Sequence, residues 1–322
     1  MNPGRRRALL GAAAAAVGMT TGCARLAPDV RRSLAEGPVR PLRVLLEHPP
    51  FHPQTAYQCG PAALATALGA VGRPVSPEAL ADQVFLPARQ GSLQLEMLAG
   101  ARRQGTVATR IAPRLEALLD EVAAGDAVVV LQNLGLSIAP LWHYAVVVGY
   151  DLVSDDLVLR SGTQRELLLP LATFDRTWAR SGRWGFAALL PGRFPISADE
   201  GAAVEAAVGF ERVAPPRDAA LAYVAGLARW PLALPLGLGL GNARHAMGDR
   251  PRAAAAFEQV TRVHPGSPPG WINLAWTRWQ LGETEGARAA ARRAFELANR
   301  PQDAAWLDDA RAVLKGVGAD SP

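Results

Sequence analysis

The chain has 322 residues, of which 49% are hydrophobic and 20% are charged, and this balance excludes a largely disordered protein. Its length favours two domains over one. Lys and Arg outnumber Asp and Glu by 34 to 29, but Arg5, Arg6 and Arg7 lie in a segment that is predicted to be removed. Without these arginines the formal charge is about +2. A charge this small does not drive phosphate binding, which excludes nucleic acid as a partner.

Residues 1–22 have the layout of a secretory signal peptide. A basic stretch is followed by an apolar run from Ala8 to about Met19, and small residues then lead to Cys23. The run is short for a hydrocarbon layer of ~30 Å, so removal is favoured over a retained membrane helix. The stretch TTGC resembles a bacterial lipobox, with Thr20 where Leu is usual, and this resemblance implies a lipidated Cys23. An ordinary cleaved signal with an incidental Cys23 is the alternative.

These features predict a lipoprotein that is anchored to a membrane of the bacterial cell envelope and faces the periplasm, with residues 23–43 as a flexible tether. The chain has two cysteines, so Cys59 lacks a cysteine partner if Cys23 carries lipid. In an oxidising compartment, a thiol that persists is either deeply buried or used. A disulfide between Cys23 and Cys59 is the other interpretation.

Residues 44–193 predict an α+β domain. Four helices are expected first, in CGPAALATALGAVG, in SPEALADQVF with Ser76 as the N-cap, over residues 92–103, and in RLEALLDEVAAG. Val- and Leu-rich stretches separated by turn residues follow, as antiparallel strands require: DAVVVLQN, WHYAVVVGY, DLVLRS, RELLLPL and WGFAALLP. Helices followed by strands favour this class over a doubly wound α/β fold.

The remainder of the chain predicts a linker and then a helical domain. Residues 194–216 contain the breakers FPISADE and VAPPRD, and residues 217–318 are expected to be helical. Gly248 and Gly282 occupy matching positions that are 34 residues apart. Tetratricopeptide repeats are similar at several further positions: Leu240, Gly241, Ala253, Phe257 and Pro265 in one copy, and Trp271, Leu274, Ala287 and Ala294 in the next. This resemblance implies an all-α domain of stacked hairpins that binds a protein partner or substrate.

Cys59 lies at the start of the first predicted helix of the α+β domain. A thiol there faces unsatisfied backbone N–H groups and the positive end of the helix dipole, which favours the thiolate. A reactive thiolate also needs a histidine. The chain has His48, His52, His143, His245 and His264. His143 is the best placed, because it opens the apolar strand HYAVVVGY, although a structural histidine at a strand end is the alternative.

A cysteine at a helix start, followed much later by a histidine on a strand, is the chain order of papain-like cysteine peptidases. More narrowly, QTAYQCGPAAL and HYAVVVGYD resemble the double-glycine, bacteriocin-processing peptidase family. The resemblance implies a papain-like fold with Cys59 as nucleophile and His143 as general base and acid. It also implies that Gln54, with the Cys59 backbone N–H, stabilises the oxyanion. Gln58 is nearer, but the family's glutamine precedes the cysteine by more residues.

The sequence departs from this family on the strand after the histidine. The family carries an aspartate there that orients the imidazole, whereas DLVLRSGTQ has Arg160 and Ser161 at this place. Arginine cannot accept the imidazole proton, but the Ser161 hydroxyl or the backbone can. Asp151, Asp155 and Asp156 are predicted to lie in a turn that is too distant.

Neither a metal site nor a cofactor is predicted. No Cys/His cluster has the spacing of metal ligands, and no strand precedes LGLGLGN, as one would precede a dinucleotide-binding loop.

The leading hypothesis is an exported, lipid-anchored cysteine peptidase that cleaves a peptide or protein substrate through an acyl-enzyme on Cys59. The rival hypothesis is a catalytically inactive, peptidase-like binding lipoprotein that acts through its repeats. An acyl transferase or amidase on the same fold is the third.

Overall fold

The computed structural model describes residues 26, 28–37, 39–53 and 58–319. The predicted signal peptide, Cys23 and Gln54 lie outside these ranges. Among the described residues, no helix combines the length and the apolar character that a membrane span requires.

The N-terminal half mixes helices and strands. Its elements are α1 (Pro28–Glu36), β1 (Arg43–Leu45), α2 (Cys59–Ala70), α3 (Pro77–Val84), α4 (Gln94–Arg103), β2 (Val107–Arg110), α5 (Leu115–Ala123), β3 (Val128–Asn133), β4 (Trp142–Asp151), β5 (Asp156–Ser161), β6 (Gln164–Pro170), α6 (Leu171–Ala179) and β7 (Gly185–Leu189).

The second half is helical in all its regular elements. They are α7 (Glu200–Glu211), α8 (Pro216–Arg229), α9 (Leu234–Ala246), α10 (Arg250–Val263), α11 (Pro268–Gln280), α12 (Thr284–Ala298) and α13 (Leu307–Gly316), with a 3-10 segment at Pro301–Trp306.

The seven described strands form one antiparallel sheet in the order β2-β7-β3-β4-β5-β6, with β1 beside the end of β4. Its centre consists of fully buried valines, residues 128–130 on β3 and 146–148 on β4. β-branched side chains suit a pleated surface that is covered on both faces. The helix α2 packs across this centre, against β3, β4, β5 and β7. The predicted α+β class and the antiparallel pairing are therefore confirmed.

The predicted order, helices first and strands second, is wrong in three places, the first of which is β1, a strand that precedes α2. Strand β2 precedes α5 and pairs with β7, and helix α6 separates β6 from β7. Both elements are short, and α6 follows the strand sequence without a polar break, so periodicity alone does not separate them.

The tether predicted over residues 23–43 contains ordered structure where it is described. Helix α1 packs on α5, and Val30 and Leu34 contact the core of the sheet domain. The Arg40 guanidinium lies 2.9 Å from the Asp120 carboxylate. This part of the predicted tether is therefore a docked segment of the domain.

The predicted linker over residues 194–216, a mixed connector with breakers in its sequence, contains the 12-residue helix α7. The Asp199 carboxylate caps α7 by accepting a hydrogen bond from the Ala202 N–H at 2.7 Å. Phe210 of α7 and Val107 of β2 share one buried core with Tyr223 of α8. The proline-containing stretches flank α7, which packs against both halves.

Polar contacts join the two halves at the same place. The buried Glu121 carboxylate of α5 accepts hydrogen bonds from the backbone N–H groups of Ile196 and Ser197, at 3.1 and 2.7 Å. Arg229 of α8 donates to the carbonyls of Pro195, Ile196 and Ala198. These bonds satisfy backbone groups that an exposed linker would leave to water.

The repeat half consists of the hairpins α9–α10 and α11–α12, flanked by α8 and α13. Gly248 and Gly282 have φ values of 77° and 78°, so each supplies the left-handed residue that ends the first helix of its hairpin. A Cβ at Gly241 would lie 2.2 Å from the Phe257 ring, which leaves room only for glycine. The predicted tetratricopeptide-type domain is therefore confirmed in its architecture.

Candidate active site

Helix α2 begins at Cys59, with the backbone of Gln58 in the N-cap position. Pro61 is the third helical residue, where its missing N–H has no intrahelical acceptor to lose. A Cβ at Gly60 would lie 2.3 Å from the Ser92 Oγ, so the absent side chain makes room for the segment that leads into α4. The fold therefore uses Gly60 to pack two of its own segments together beside the cysteine.

The environment of the Cys59 sulfur differs from the predicted one. Burial raises the pKa of the thiol, and this effect outweighs the backbone N–H groups of Tyr144, Gly60 and Cys59 itself, which lower the pKa. The expectation that the helix start favours the thiolate is therefore wrong for the free site. The same contacts place the sulfur beside the backbone of Tyr144, the residue that follows His143.

His143 is the second residue of β4 and lies opposite Gln132 of β3. Its Nε2 lies 2.8 Å from the Oγ of Ser161 on β5. Burial lowers the pKa of the imidazole below its ordinary value. With Nε2 bonded to Ser161, Nδ1 is the nitrogen that can exchange a proton with the thiol.

Ser161 is one of the two residues that replace the family's aspartate, and the two have opposite surroundings. Ser161 is 8% exposed and bonds to the histidine. The Arg160 guanidinium instead donates to the Arg165 carbonyl and lies 3.5 Å from the Glu166 carboxylate. Successive side chains of a strand point to opposite faces, which brings Ser161 to the histidine and takes Arg160 away.

Three further polar candidates, Asp151, His245 and His264, have their partners elsewhere. The Asp151 carboxylate accepts hydrogen bonds from the Val153 and Ser154 N–H groups and pairs with Arg43 at 2.8 Å. Asp151 is the last residue of β4, and these bonds stabilise the β4–β5 turn. His245 bonds to Gln280, and His264 to the Leu232 carbonyl, both within the repeat half.

Tyr144 is a site residue that the sequence reasoning missed. Its hydroxyl donates to the Ser92 carbonyl at 3.2 Å, and its ring lies edge-on to Trp184 with centroids 5.9 Å apart. It thus ties the strand of His143 to the segment packed on Gly60. Successive side chains of β4 point to opposite faces of the sheet, so the Tyr144 side chain points away from that of His143. No local pattern in the sequence shows that the partners of Tyr144 are Ser92 and Trp184.

A comparison with models of protein families finds a match to part of the chain. Residues 45–185 match the Peptidase_C39 like family, a range that includes both Cys59 and His143 and covers less than half of the 322-residue chain. Residues 45–185 are therefore similar to the C39-like peptidase family, and the predicted resemblance to cysteine peptidases is confirmed at that level. No match to a curated protein is found.

Solved structures resemble each half separately. A putative C39-like peptidase from Bacillus anthracis is 18% identical, covers 46% of this chain and 97% of its own, and has a TM-score of 0.39. The type III secretion translocator chaperone SycD of Yersinia enterocolitica is 21% identical, covers 36% of this chain and 81% of its own, and has a TM-score of 0.34. The TPR2B domain of yeast Sti1, solved as a complex with pHsp70, is 13% identical, covers 37% of this chain and 95% of its own, and has a TM-score of 0.35.

Proposed function

We propose that this protein is a cysteine peptidase in which Cys59 is the nucleophile and His143 the general base and acid. The observation that carries the proposal is the bond between His143 Nε2 and Ser161 Oγ, because it orients the ring while the Cys59 sulfur lies beside the backbone of the next residue. An imidazole held in this way has a defined nitrogen available for proton transfer.

Burial raises the pKa of the Cys59 thiol and lowers the pKa of the His143 imidazole, so it disfavours the charged form of each. When the sulfur attacks the carbonyl carbon of a peptide bond, His143 Nδ1 takes the thiol proton and an S–C bond forms. The Cys59 backbone N–H and the Gln54 amide donate to the oxyanion of the tetrahedral intermediate. Gln54 lies outside the described residues, so its role comes from the resemblance alone.

The intermediate then collapses to a thioester. The C–N bond breaks, and the imidazolium gives its proton to the leaving amine. In the second half-reaction a water molecule attacks the thioester while His143 accepts the water proton. Cys59 leaves as the thiol when the imidazolium returns that proton.

The rival proposal is a peptidase-like binding protein without turnover. It draws support from the serine at the place of the family's aspartate, because a hydroxyl stabilises an imidazolium less than a carboxylate does. The test is a thiol-directed peptidyl probe with an electrophilic carbonyl, applied to the wild-type chain, Cys59→Ala and His143→Ala. We expect labelling of the wild type only; equal labelling of wild type and His143→Ala contradicts the peptidase proposal.

We further propose that a lipid on Cys23 anchors the protein to the cell envelope and that the repeats bind a protein partner or substrate. The exposed amides of Asn242 on α9 and Asn273 on α11 lie 3.2 Å apart and give consecutive repeats adjoining groups for hydrogen bonding. Mass spectrometry of the exported chain tests the anchor. An unmodified N-terminus at another residue contradicts it.

A further inference from the structure

Seven bulky apolar side chains are exposed on two segments beside the candidate active site. Exposed fractions reach 91% for Ile138, 74% for Leu95 and 64% for Leu136. We call this group the apolar rim, and it consists of Leu93 and Leu95 at the start of α4 and Leu134, Leu136, Ile138, Leu141 and Trp142 in the β3–β4 connection.

Both segments are joined directly to the site residues. Trp142 precedes His143 on β4, so the β3–β4 side of the rim leads into the histidine. The other side follows Ser92, which packs on Gly60, one residue from the nucleophile. The bond from the Tyr144 hydroxyl to the Ser92 carbonyl connects the two sides. A chain that offers a carbonyl carbon to Cys59 therefore has the rim beside it.

The β3–β4 connection is braced by hydrogen bonds. The Asn133 carboxamide oxygen accepts from the N–H groups of Gly135 and Leu141 at 3.0 and 2.9 Å, and Leu134 donates to the Leu141 carbonyl at 2.9 Å. Arg180 donates to the carbonyls of Asn133 and Gly135. Because these bonds hold the connection in one conformation, its apolar side chains stay exposed to water. Binding of a ligand there costs little conformational entropy, since the connection is already ordered.

The charge of the residues around the rim distinguishes between its two candidate ligands, an apolar peptide and a lipid surface. Residues 134–142 and 91–95 contain no charged side chain, and Glu96 follows directly. Surfaces that bind anionic lipid headgroups carry Lys and Arg. Arg180 reaches the connection, but it donates to backbone carbonyls. The rim therefore favours an uncharged apolar peptide segment over a lipid surface.

We propose that the apolar rim binds bulky apolar side chains of the substrate on the residues that flank the scissile bond, an inference that rests on the proposed peptidase function. The substrate class is then a peptide with large aliphatic or aromatic residues near the cleaved bond, rather than one selected only by small residues.

The test compares the exported chain carrying Cys23→Ser with the same chain carrying Leu136→Ser and Ile138→Ser. Two sets of blocked, fluorescence-quenched octapeptides are used, both with a randomised central pair, one flanked by Leu and Phe and the other by Ser and Thr. Turnover is measured as kcat/KM, and binding is measured separately on the Cys59→Ala background. Leu168→Ser is the matched control, because Leu168 is 62% exposed on β6, outside the rim.

We expect the wild type to prefer the apolar set and the double variant to lose at least about tenfold in both affinity and kcat/KM for that set. The control should change neither, and alkylation of Cys59 by iodoacetamide should be equal in all variants. An unchanged preference in the double variant overturns the proposal. So does a loss confined to binding of phosphatidylglycerol vesicles, which assigns the rim to a membrane surface. Rim-dependent binding without any turnover supports the rim and contradicts the peptidase function.

Discussion

The two halves of this chain achieve close packing in different ways. The sheet domain packs β-branched strands and buries polar groups, some of which have partners from distant parts of the chain, as Glu121 has in Ile196 and Ser197. The repeat half packs aromatic rings against glycine: a Cβ at Gly239 would lie 2.1 Å from the Tyr223 ring, and one at Gly316 would lie 2.3 Å from Trp276. The first half depends on long-range polar pairs, and the second on small residues at regular intervals.

The segment that joins the two halves, residues 194–216, is called the joint, and it follows neither of these packing patterns. Helix α7 has the small residues of the second half, yet it covers Val107 of the sheet and anchors the chain that satisfies Glu121. Burial raises the pKa of Glu121, while hydrogen bonds from Ser197 and Ile196 lower it, so the carboxylate depends on this joint for its solvation.

The largest effect is expected from cutting the chain at the joint. A chain that ends at Arg193 loses the bonds to Glu121 and the cover of Val107, so we expect it to aggregate or to melt about 10 °C or more below the full chain. A chain that ends at Ala214 keeps α7 and should be the more soluble of the two. Thermal unfolding measures the difference. Equal melting of the two truncated chains would show that α7 is a dispensable linker.

A second prediction concerns ring-on-glycine packing in the repeats. Gly241→Val places methyl groups against the Phe257 ring and should destabilise the repeat half by about 1–3 kcal/mol. Probe labelling of Cys59 should persist, because the site lies within the sheet domain. Gly201→Ala, on the exposed first turn of α7, is the control and should be neutral. Loss of labelling in Gly241→Val would mean that the halves unfold as one unit.

A third prediction isolates the bond that orients the histidine. Ser161→Ala removes one hydrogen bond worth about 1 kcal/mol and should lower kcat/KM about fivefold at unchanged KM. Ser161→Thr retains a hydroxyl and should recover part of the loss. Full activity in Ser161→Ala would assign the orientation of His143 to the backbone.

The smallest expected effect is a shift in the pH dependence of kcat/KM and of Cys59 alkylation. His143 must be neutral to accept the thiol proton, and its pKa is lowered, so kcat/KM should decline only when the pH falls below the ordinary histidine value. The raised pKa of Cys59 predicts alkylation by iodoacetamide that is slower than that of glutathione at pH 7 and rises in the alkaline range. Faster alkylation than glutathione at pH 7 would indicate a thiolate–imidazolium pair in the free enzyme.

The sequence by itself determined what depends on near neighbours. The helix start at Cys59, the strand of His143 and the repeat of Gly248 at Gly282 follow from residue types within a few positions, since capping, alternation and left-handed turns are local properties. The short elements β2 and α6 escaped this reasoning because few residues carry their pattern.

Only the tertiary structure decided what depends on distant partners. It brought Ser161 rather than an aspartate to His143, turned Gly60 toward Ser92, and made a packed helix of the predicted linker. It also reversed the expected shift of the Cys59 pKa, because burial by the surrounding sheet outweighs the N–H groups at the helix start. Desolvation and hydrogen-bond partners are set by chain segments far apart in sequence, and a local pattern contains no record of them.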